Sequence, residues 1–417
     1  MSSMKDQSVV AGNDVCWGVI GEKLVLFSTL ERRLHILNET AASAWTLTDS
    51  PIRVSDLVRR LAAKYDEAVA SIETDVLQAV EGFIGAGLCH VIDRSTPSPQ
   101  RRKPKRTPVG SMPDPTASTL LGPYAAMGIP ITMTVDDDLF RSEMARILAP
   151  LSIDSEGFWS TLLGGSGSVD SNAARSNADA MRLQHFEVSV EGRSVTAARN
   201  GVGIFQTHDR ALAVRLLVAQ LNSQPLSLID DAVVLHAAAA DVNGTLVVFP
   251  AVSGSGKSTL IAQLVERGHA YLTDEAVAID VSTLRARPYH KSICIERGAS
   301  EILSHLIDTT AGEGPWDIDP RTIGPGRLSN GGPVSALVFP KYDAQASPQF
   351  RPLEPIETIQ ELLGNTFDFT HLGQPAFSAL VRIANALPAY ELVYPGDSRH
   401  LLQVEDLVSR FVGMAAS

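Results

Sequence analysis

Apolar and polar positions along the chain form two patterned blocks with a polar, proline-rich stretch between them. In the first block, residues 15–20 and 24–27 are short apolar runs joined by Gly21-Glu22-Lys23, and residues 32–37 form a third; their length and flanking turn residues predict strands. The period then lengthens. Asn38 stands as the cap of a helix over residues 39–47. Ser55 stands before a second helix with Leu57, Val58 and Leu61 on one face. Ser71 opens a third, carrying Val76, Leu77, Val80, Phe83 and Ile84 and ending near Gly85 or Gly87. Three strands followed by three helices predict a small winged-helix-like α+β module over residues 1–93.

Residues 94–123 break the pattern with Ser, Thr, Pro and Gly around the basic run Gln100-Arg101-Arg102-Lys103-Pro104-Lys105-Arg106. Such a stretch predicts a linker, and the basic run a solvated tether. The second block, residues 124–417, mixes strand and helix periods. Strands are expected at 131–135, 186–190, 233–240, 245–249, 270–273 and 334–339. Helices are expected at 210–221, 355–363 and 376–387, and a loop at the Gly- and Ser-rich 164–176. The fold class is therefore multi-domain α/β.

Composition narrows the setting. The chain has 417 residues, 44% of them hydrophobic, enough for two or three cored domains. Lys plus Arg is 35 and Asp plus Glu is 47, a net charge of −12. Such a surface is a poor non-specific binder of nucleic acid or anionic membranes. Cys16, Cys89 and Cys294 share no metal-ligand spacing and are expected to be reduced thiols. With no apolar signal core at the start and no apolar run of about 18 residues, the expectation is a cytoplasmic protein without a membrane span.

The chemistry concentrates in one segment. An apolar strand at 245–249 runs into Pro250-Ala251-Val252-Ser253-Gly254-Ser255-Gly256-Lys257-Ser258-Thr259, and a helical pattern leaves it, with Leu260, Ile261, Leu264 and Val265 on one face and Gly268 at its stop. Strand, glycine-rich turn and helix make a phosphate-binding loop. Amides at the helix start point at an anion and the helix dipole favours it. Lys257 would reach the outer phosphates of ATP or another nucleoside triphosphate, and Ser258 would ligate Mg²⁺. Ala251 stands where such loops usually carry their first glycine, and alanine tolerates positive φ poorly. Downstream, the strand 270–273 ends in Asp274-Glu275; either acid suits the metal and the other a general base. Upstream, His236 lies within an apolar strand. A histidine there is ordinarily a core residue, yet its near-neutral pKa suits proton transfer.

In order and spacing, His236, the loop to Ser258, Leu264-Val265-Glu266-Arg267-Gly268-His269 and Asp274-Glu275 resemble the HPr serine kinase/phosphorylase family. The resemblance implies a P-loop kinase related in fold to phosphoenolpyruvate carboxykinase. It implies Asp274 as general base assisted by His236, and Glu275 with Ser258 at Mg²⁺. The family's later Ile-Glu-Ile-Arg-Gly signature has a shifted counterpart in Ile293-Cys294-Ile295-Glu296-Arg297-Gly298. The chain looks closer to diverged kinases found beside peptide-modifying enzymes, which makes such enzymes candidate partners. Self-assembly into a homo-oligomer is a further implication.

In the first block, Leu37-Asn38-Glu39-Thr40-Ala41-Ala42-Ser43-Ala44-Trp45 resembles the core of PqqD-like peptide chaperones, which bind leader segments of ribosomally made peptides. The resemblance implies that a leader adds as a strand beside the third strand, packed on the third helix. Arg32, Leu34 and Ile36 with Val76, Val80 and Phe83 are the candidate contacts; the apolar ones serve equally as module core. Together these features suggest an ATP-dependent kinase acting on a Ser or Thr of a precursor peptide held by its leader. A nucleotide-gated peptide carrier without catalysis, and an HPr-like protein kinase/phosphorylase, are the alternatives.

Overall fold

The computed structural model describes residues 4–92, 113–162, 182–307, 314–367 and 372–395. The basic run 100–106 and the segment 164–176 lie outside them. The described residues divide into two compact units. One comprises 4–92, 355–360 and 372–386, and the other comprises the remainder.

The first unit starts with strands β1 (Ser8–Ala11), β2 (Val15–Ile20), β3 (Lys23–Ser28) and β4 (Arg33–Leu37). Helix α1 (Glu39–Thr46), strand β5 (Ile52–Arg53), helices α2 (Val54–Tyr65) and α3 (Val69–Gly85), and strand β6 (Cys89–Val91) follow. Asn38 caps α1 as predicted, its side chain accepting the Ala41 N–H at 2.8 Å. Ser55 and Ser71 do not cap: α2 starts directly after β5, and α3 starts after Ala68, both without a side-chain cap. Pairing decides the first case, because β5 is hydrogen-bonded to β1 and the Val54 N–H reaches the Gln7 carbonyl. In the second, the Ser71 hydroxyl turns back to the Ala68 carbonyl at 2.6 Å.

Two three-stranded sheets result, β2-β3-β4 and β5-β1-β6. One face of the first packs Leu24 and Leu26 against Trp45, Leu57, Val80 and Phe83. Trp45 meets Phe83 edge-on at 5.7 Å, a favoured aromatic geometry. The other face carries Phe27, which stacks on Phe377 of the helix Gln374–Ala386 at 5.9 Å. That helix also occupies the free edge of β2. The Gln374 amide accepts from Trp17 N and donates to Trp17 O, at 2.8 and 2.6 Å. Asn385 does the same at Gly21 N and Val19 O, at 3.2 and 2.8 Å. Two amide side chains thus satisfy backbone groups that an edge strand would otherwise present.

The second unit carries two larger sheets. β7 (Leu120–Ala126), β8 (Ile129–Val135), β9 (Gln184–Glu191), β10 (Ser194–Arg199) and β11 (Val202–Thr207) form one, in the order β11-β10-β9-β8-β7. Strand β7 begins inside the stretch expected to be linker, because Leu120 and Leu121 pair with Thr134 and Met133 of β8. Helices α4 (Asp138–Leu148) and α6 (Arg210–Leu228) share a core with this sheet, through Phe140, Met144, Leu217 and Leu221. Between them lies α5 (Ser155–Leu162).

The central sheet is built on β12 (Ala232–Val242). β13 (Thr245–Pro250) pairs along one of its edges, and along the other lie β14 (Ala270–Thr273) and then β15 (Ala276–Asp280). Helix α7 (Lys257–Glu266) follows β13. Short strands β16 (Arg285–Ala286), β17 (Ile293–Ile295), β18 (Trp316–Ile318) and β19 (Gly332–Pro333) precede β20 (Ala336–Tyr342), β21 (Gln349–Pro352), helix α8 (Pro355–Gly364) and β22 (Ala389–Tyr394). The order is β19-β16-β15-β12-β13-β20-β22-β21, and β17 pairs with β18 separately. Pairing is antiparallel around β12 and parallel between β13, β20 and β22. Ala237 to Ala240 are fully buried, and the small methyls of Ala238 and Ala240 share a core cluster with Leu260, Ile261 and Leu264 of α7. Among the described residues, no helix is long and apolar enough to cross a membrane.

Candidate active site

The register of β12 assembles the site. Its partner strand on one edge breaks between Thr273, opposite Ala239, and Ala276, opposite His236, so Asp274 and Glu275 occupy the interruption. On the other edge, Ala237 pairs with Pro250, and the Ala251 N–H donates to the His236 carbonyl at 3.2 Å. The loop, the histidine and the acid pair, distant in sequence, thus converge at the middle of one strand. His236 lies on the β12 face that packs Val234 into one core cluster and Ala238 into another, and its ring tilts against Phe367 at 5.5 Å.

The loop is shaped for an anion. Gly254 and Gly256 take left-handed φ values of 82° and 86°, which glycine adopts without strain. A methyl on Gly256 would lie 2.5 Å from the Tyr394 hydroxyl, which donates to the Gly256 carbonyl at 2.8 Å. Ala251 lies outside the left-handed region, so its methyl carries no penalty there. Gly256 caps α7 without a side-chain hydrogen bond. The first amides of a helix lack partners one turn back, so they face the loop. The Ser255 hydroxyl is buried with no partner among the described residues. The Lys257 ammonium donates to the Ala251 and Val252 carbonyls at 2.7 and 2.9 Å. These donors fit a polyphosphate.

Asp274 is the most heavily bonded side chain in the site. Its Oδ2 accepts from the Ser258 hydroxyl at 3.0 Å and from the Cys294 N–H at 3.2 Å. Its Oδ1 accepts from the Tyr271 hydroxyl at 3.1 Å and pairs with the Lys291 ammonium at 2.9 Å. The side chain is 1% exposed, that of Lys291 10% and that of Glu275 44%. Glu275 Oε2 lies 3.9 Å from the same ammonium. Ser258 and the two acids are an oxygen donor set suited to Mg²⁺, with phosphates and water completing its shell.

Charge states follow from burial. Burial opposes the charge on Lys291, but the Asp274 carboxylate, with Tyr289 and Glu275, holds its pKa above the usual lysine value. Burial lowers the Lys257 ammonium to about 8, against the pull of Glu275 and Asp274. Burial, reinforced by the Lys257 charge, lowers His236 to about 4, so its ring is neutral at pH 7. Burial pushes the Cys294 thiol up to about 12.

A cavity of about 330 Å³ is lined by His236, Ser253, Gly254, Gly256, Lys257, Ser258, Thr259, Asp274 and Glu275. The structure therefore brings the predicted residues together, with Ser255 buried in the loop behind them. Lys291 and Tyr271 were not legible in the sequence. The β15–β17 connection carries Lys291 to Asp274, and no motif or period marks it.

In the first unit the candidate leader contacts separate. Val76, Val80 and Phe83 are at most 5% exposed and fill the module core. Leu34 and Ile36 pair with Phe27 and Val25, and side chains on a strand alternate faces, so they lie on the sheet face opposite Leu26. The two sets do not meet. Arg32 sits in the turn before β4 with φ of 52°. Among the described residues β4 pairs only with β3, and its other edge has no strand beside it.

Residues 23–88 match the family model of coenzyme PQQ synthesis protein D (PqqD), so the chain carries an N-terminal PqqD domain. Among solved structures, the chain is similar to the Hpr(Ser) kinase/phosphatase from Coxiella burnetii. The two are 16% identical with a TM-score of 0.27, over 44% of this chain and 99% of that one. No curated protein matches the chain.

Proposed function

We propose that the protein is an ATP-dependent kinase that phosphorylates a Ser or Thr hydroxyl of a ribosomally made precursor peptide, with the PqqD domain holding the peptide's leader. One observation carries the kinase half: the Ser258 hydroxyl lies 3.0 Å from Asp274 beside an uncapped helix start and the Lys257 ammonium. The β-phosphate and γ-phosphate sit against the amides of α7 and Lys257. Mg²⁺, held by Ser258 and Glu275, would neutralise phosphate charge. The acceptor oxygen bonds to the γ-phosphorus as the bond to the bridging oxygen breaks, ADP leaves, and Asp274 takes the hydroxyl proton. Neutral His236 faces the same cavity and orients the hydroxyl. The free edge of β4 supports the peptide half, since an extended leader pairs there through its backbone. Tethering makes the second encounter intramolecular.

The test is transfer of labelled γ-phosphate to a co-encoded precursor peptide. Lys257→Ala is expected to abolish it, and undiminished transfer by that variant would remove the assigned chemistry. A second reading rests on the four bonds already made to Asp274. If the acceptor displaces none of them, the protein is a nucleotide-gated peptide carrier that binds ATP and leader and yields no phosphopeptide.

A further inference from the structure

A second cavity, of about 280 Å³, adjoins the first, and Glu275 and Cys294 line both. Ile147 and Leu148 of α4 and Val214 and Val218 of α6 give it apolar walls, and Arg215, Asn222 and Asp317 belong to its polar lining. These helices belong to a region whose sequence carries no recognisable chemistry. They share the buried core of the five-stranded sheet, so the walls are preformed. Polar groups stand where the two cavities meet, with Lys291 3.9 Å from Glu275. The volume lies at the lower edge of the range of about 300–1,000 Å³ typical of ligand sites, room for one or two side chains. The first cavity also has an exposed aromatic ring at its rim, Tyr342, which suits a nucleobase. That leaves the Glu275 side for the acceptor.

We infer that the cavity between α4 and α6 seats an apolar side chain next to the phosphoacceptor residue of the peptide. The hydroxyl lies at the acid pair, and a neighbouring Leu, Ile, Met or Phe enters between the helices. The charges around the space balance without a guest: Asp274 matches Lys291, and Glu275 and Asp317 stand against Arg215, so no cation is left over to call for an anionic side chain. The inference rests on the kinase reading above and adds the substrate's local sequence. Burial of one such side chain corresponds to a preference of about 10- to 150-fold in kcat/KM.

The probe is a pool of synthetic peptides, each carrying the co-encoded leader followed by one Ser with randomised flanks, incubated with Mg²⁺ and labelled ATP. Sequencing of the phosphorylated fraction is expected to show Leu, Ile, Met or Phe enriched beside the Ser. Val218→Trp fills the cavity and is expected to erase the enrichment and lower labelling of a Leu-flanked peptide about tenfold or more. Phosphorylation without apolar enrichment, or enrichment unmoved by Val218→Trp, overturns the pocket and leaves the kinase intact. No phosphopeptide from the parent protein, with nucleotide bound, defeats the kinase reading and the pocket together. Should Val218→Trp fail to fold by thermal melting, Val214→Ala and Ile147→Ala enlarge the same space. They are expected to shift the preference toward Phe and Trp, and an unchanged preference overturns the inference.

Discussion

Asp274→Asn is the most informative single substitution, because Asp274 serves structure and chemistry at once. The change removes the carboxylate 2.9 Å from the Lys291 ammonium, whose side chain is 10% exposed, and leaves Glu275 at 3.9 Å, with Asp317 also acting on the charge. Breaking a buried pair from one side costs about 3–5 kcal/mol, most of it the stranded charge. Glu275 offsets part of that, so about 3 kcal/mol is expected. In a domain of this size each kcal/mol lowers the melting temperature by about 2–4 °C, which puts the loss near 6–12 °C by calorimetry. Transfer of γ-phosphate, assayed well below the new melting temperature, is expected to fall by about 10²–10⁴ through loss of the base. Adding Lys291→Met separates the two effects. With the charge gone, most of the stability returns, while transfer stays absent because no carboxylate has been restored. Parent-like melting of Asp274→Asn would refute the energetic role of the pair. Recovery of transfer in the double variant would refute the assignment of proton transfer to Asp274.

Further outcomes are expected. ATP affinity falls as pH rises above about 8: free Lys257 loses its proton there, whereas a bound phosphate favours the charged form, so the Kd measured by calorimetry climbs toward tenfold per pH unit. Lys257→Arg, charged throughout, flattens that profile. Stability of the unliganded protein has the opposite sign, since a lysine lowered from 10.5 to about 8 makes stability rise with pH between those values. Ala251→Gly leaves ATP affinity unchanged, because Ala251 is not left-handed, and lowers stability by about 0.5–1 kcal/mol through added chain freedom; a gain in affinity would show that the alanine hinders the loop.

What the sequence made legible was local. The strand, turn and helix from Thr245 to Glu266 announce themselves by period and by Gly254 and Gly256, and the acid pair by its place after an apolar run. Asn38 was legible because a cap acts on its own helix. The illegible parts depend on distant pairing. β1, β5 and β6 span two to four residues each, too short to show a period, and exist because they pair with one another. Val76, Val80 and Phe83 carry the same pattern whether a helix faces its own core or a guest peptide, and packing chose the core. Lys291 meets Asp274 through a turn that no spacing rule describes.

The helix Gln374–Ala386 gives the chain an unusual anatomy. It completes the unit built from the first ninety or so residues, yet the chain on either side of it, 361–367 and 387–395, belongs to the other unit. The border between the two is therefore crossed more than once and is not a cut site. A gene fragment ending near residue 92 would yield a module with Phe27 uncovered and the β2 edge unpaired, prone to stick to its neighbours. Recombination that swapped the front of this protein onto another enzyme would have to carry thirteen residues from near the far end as well. Such interleaving ties the inheritance of the two halves together.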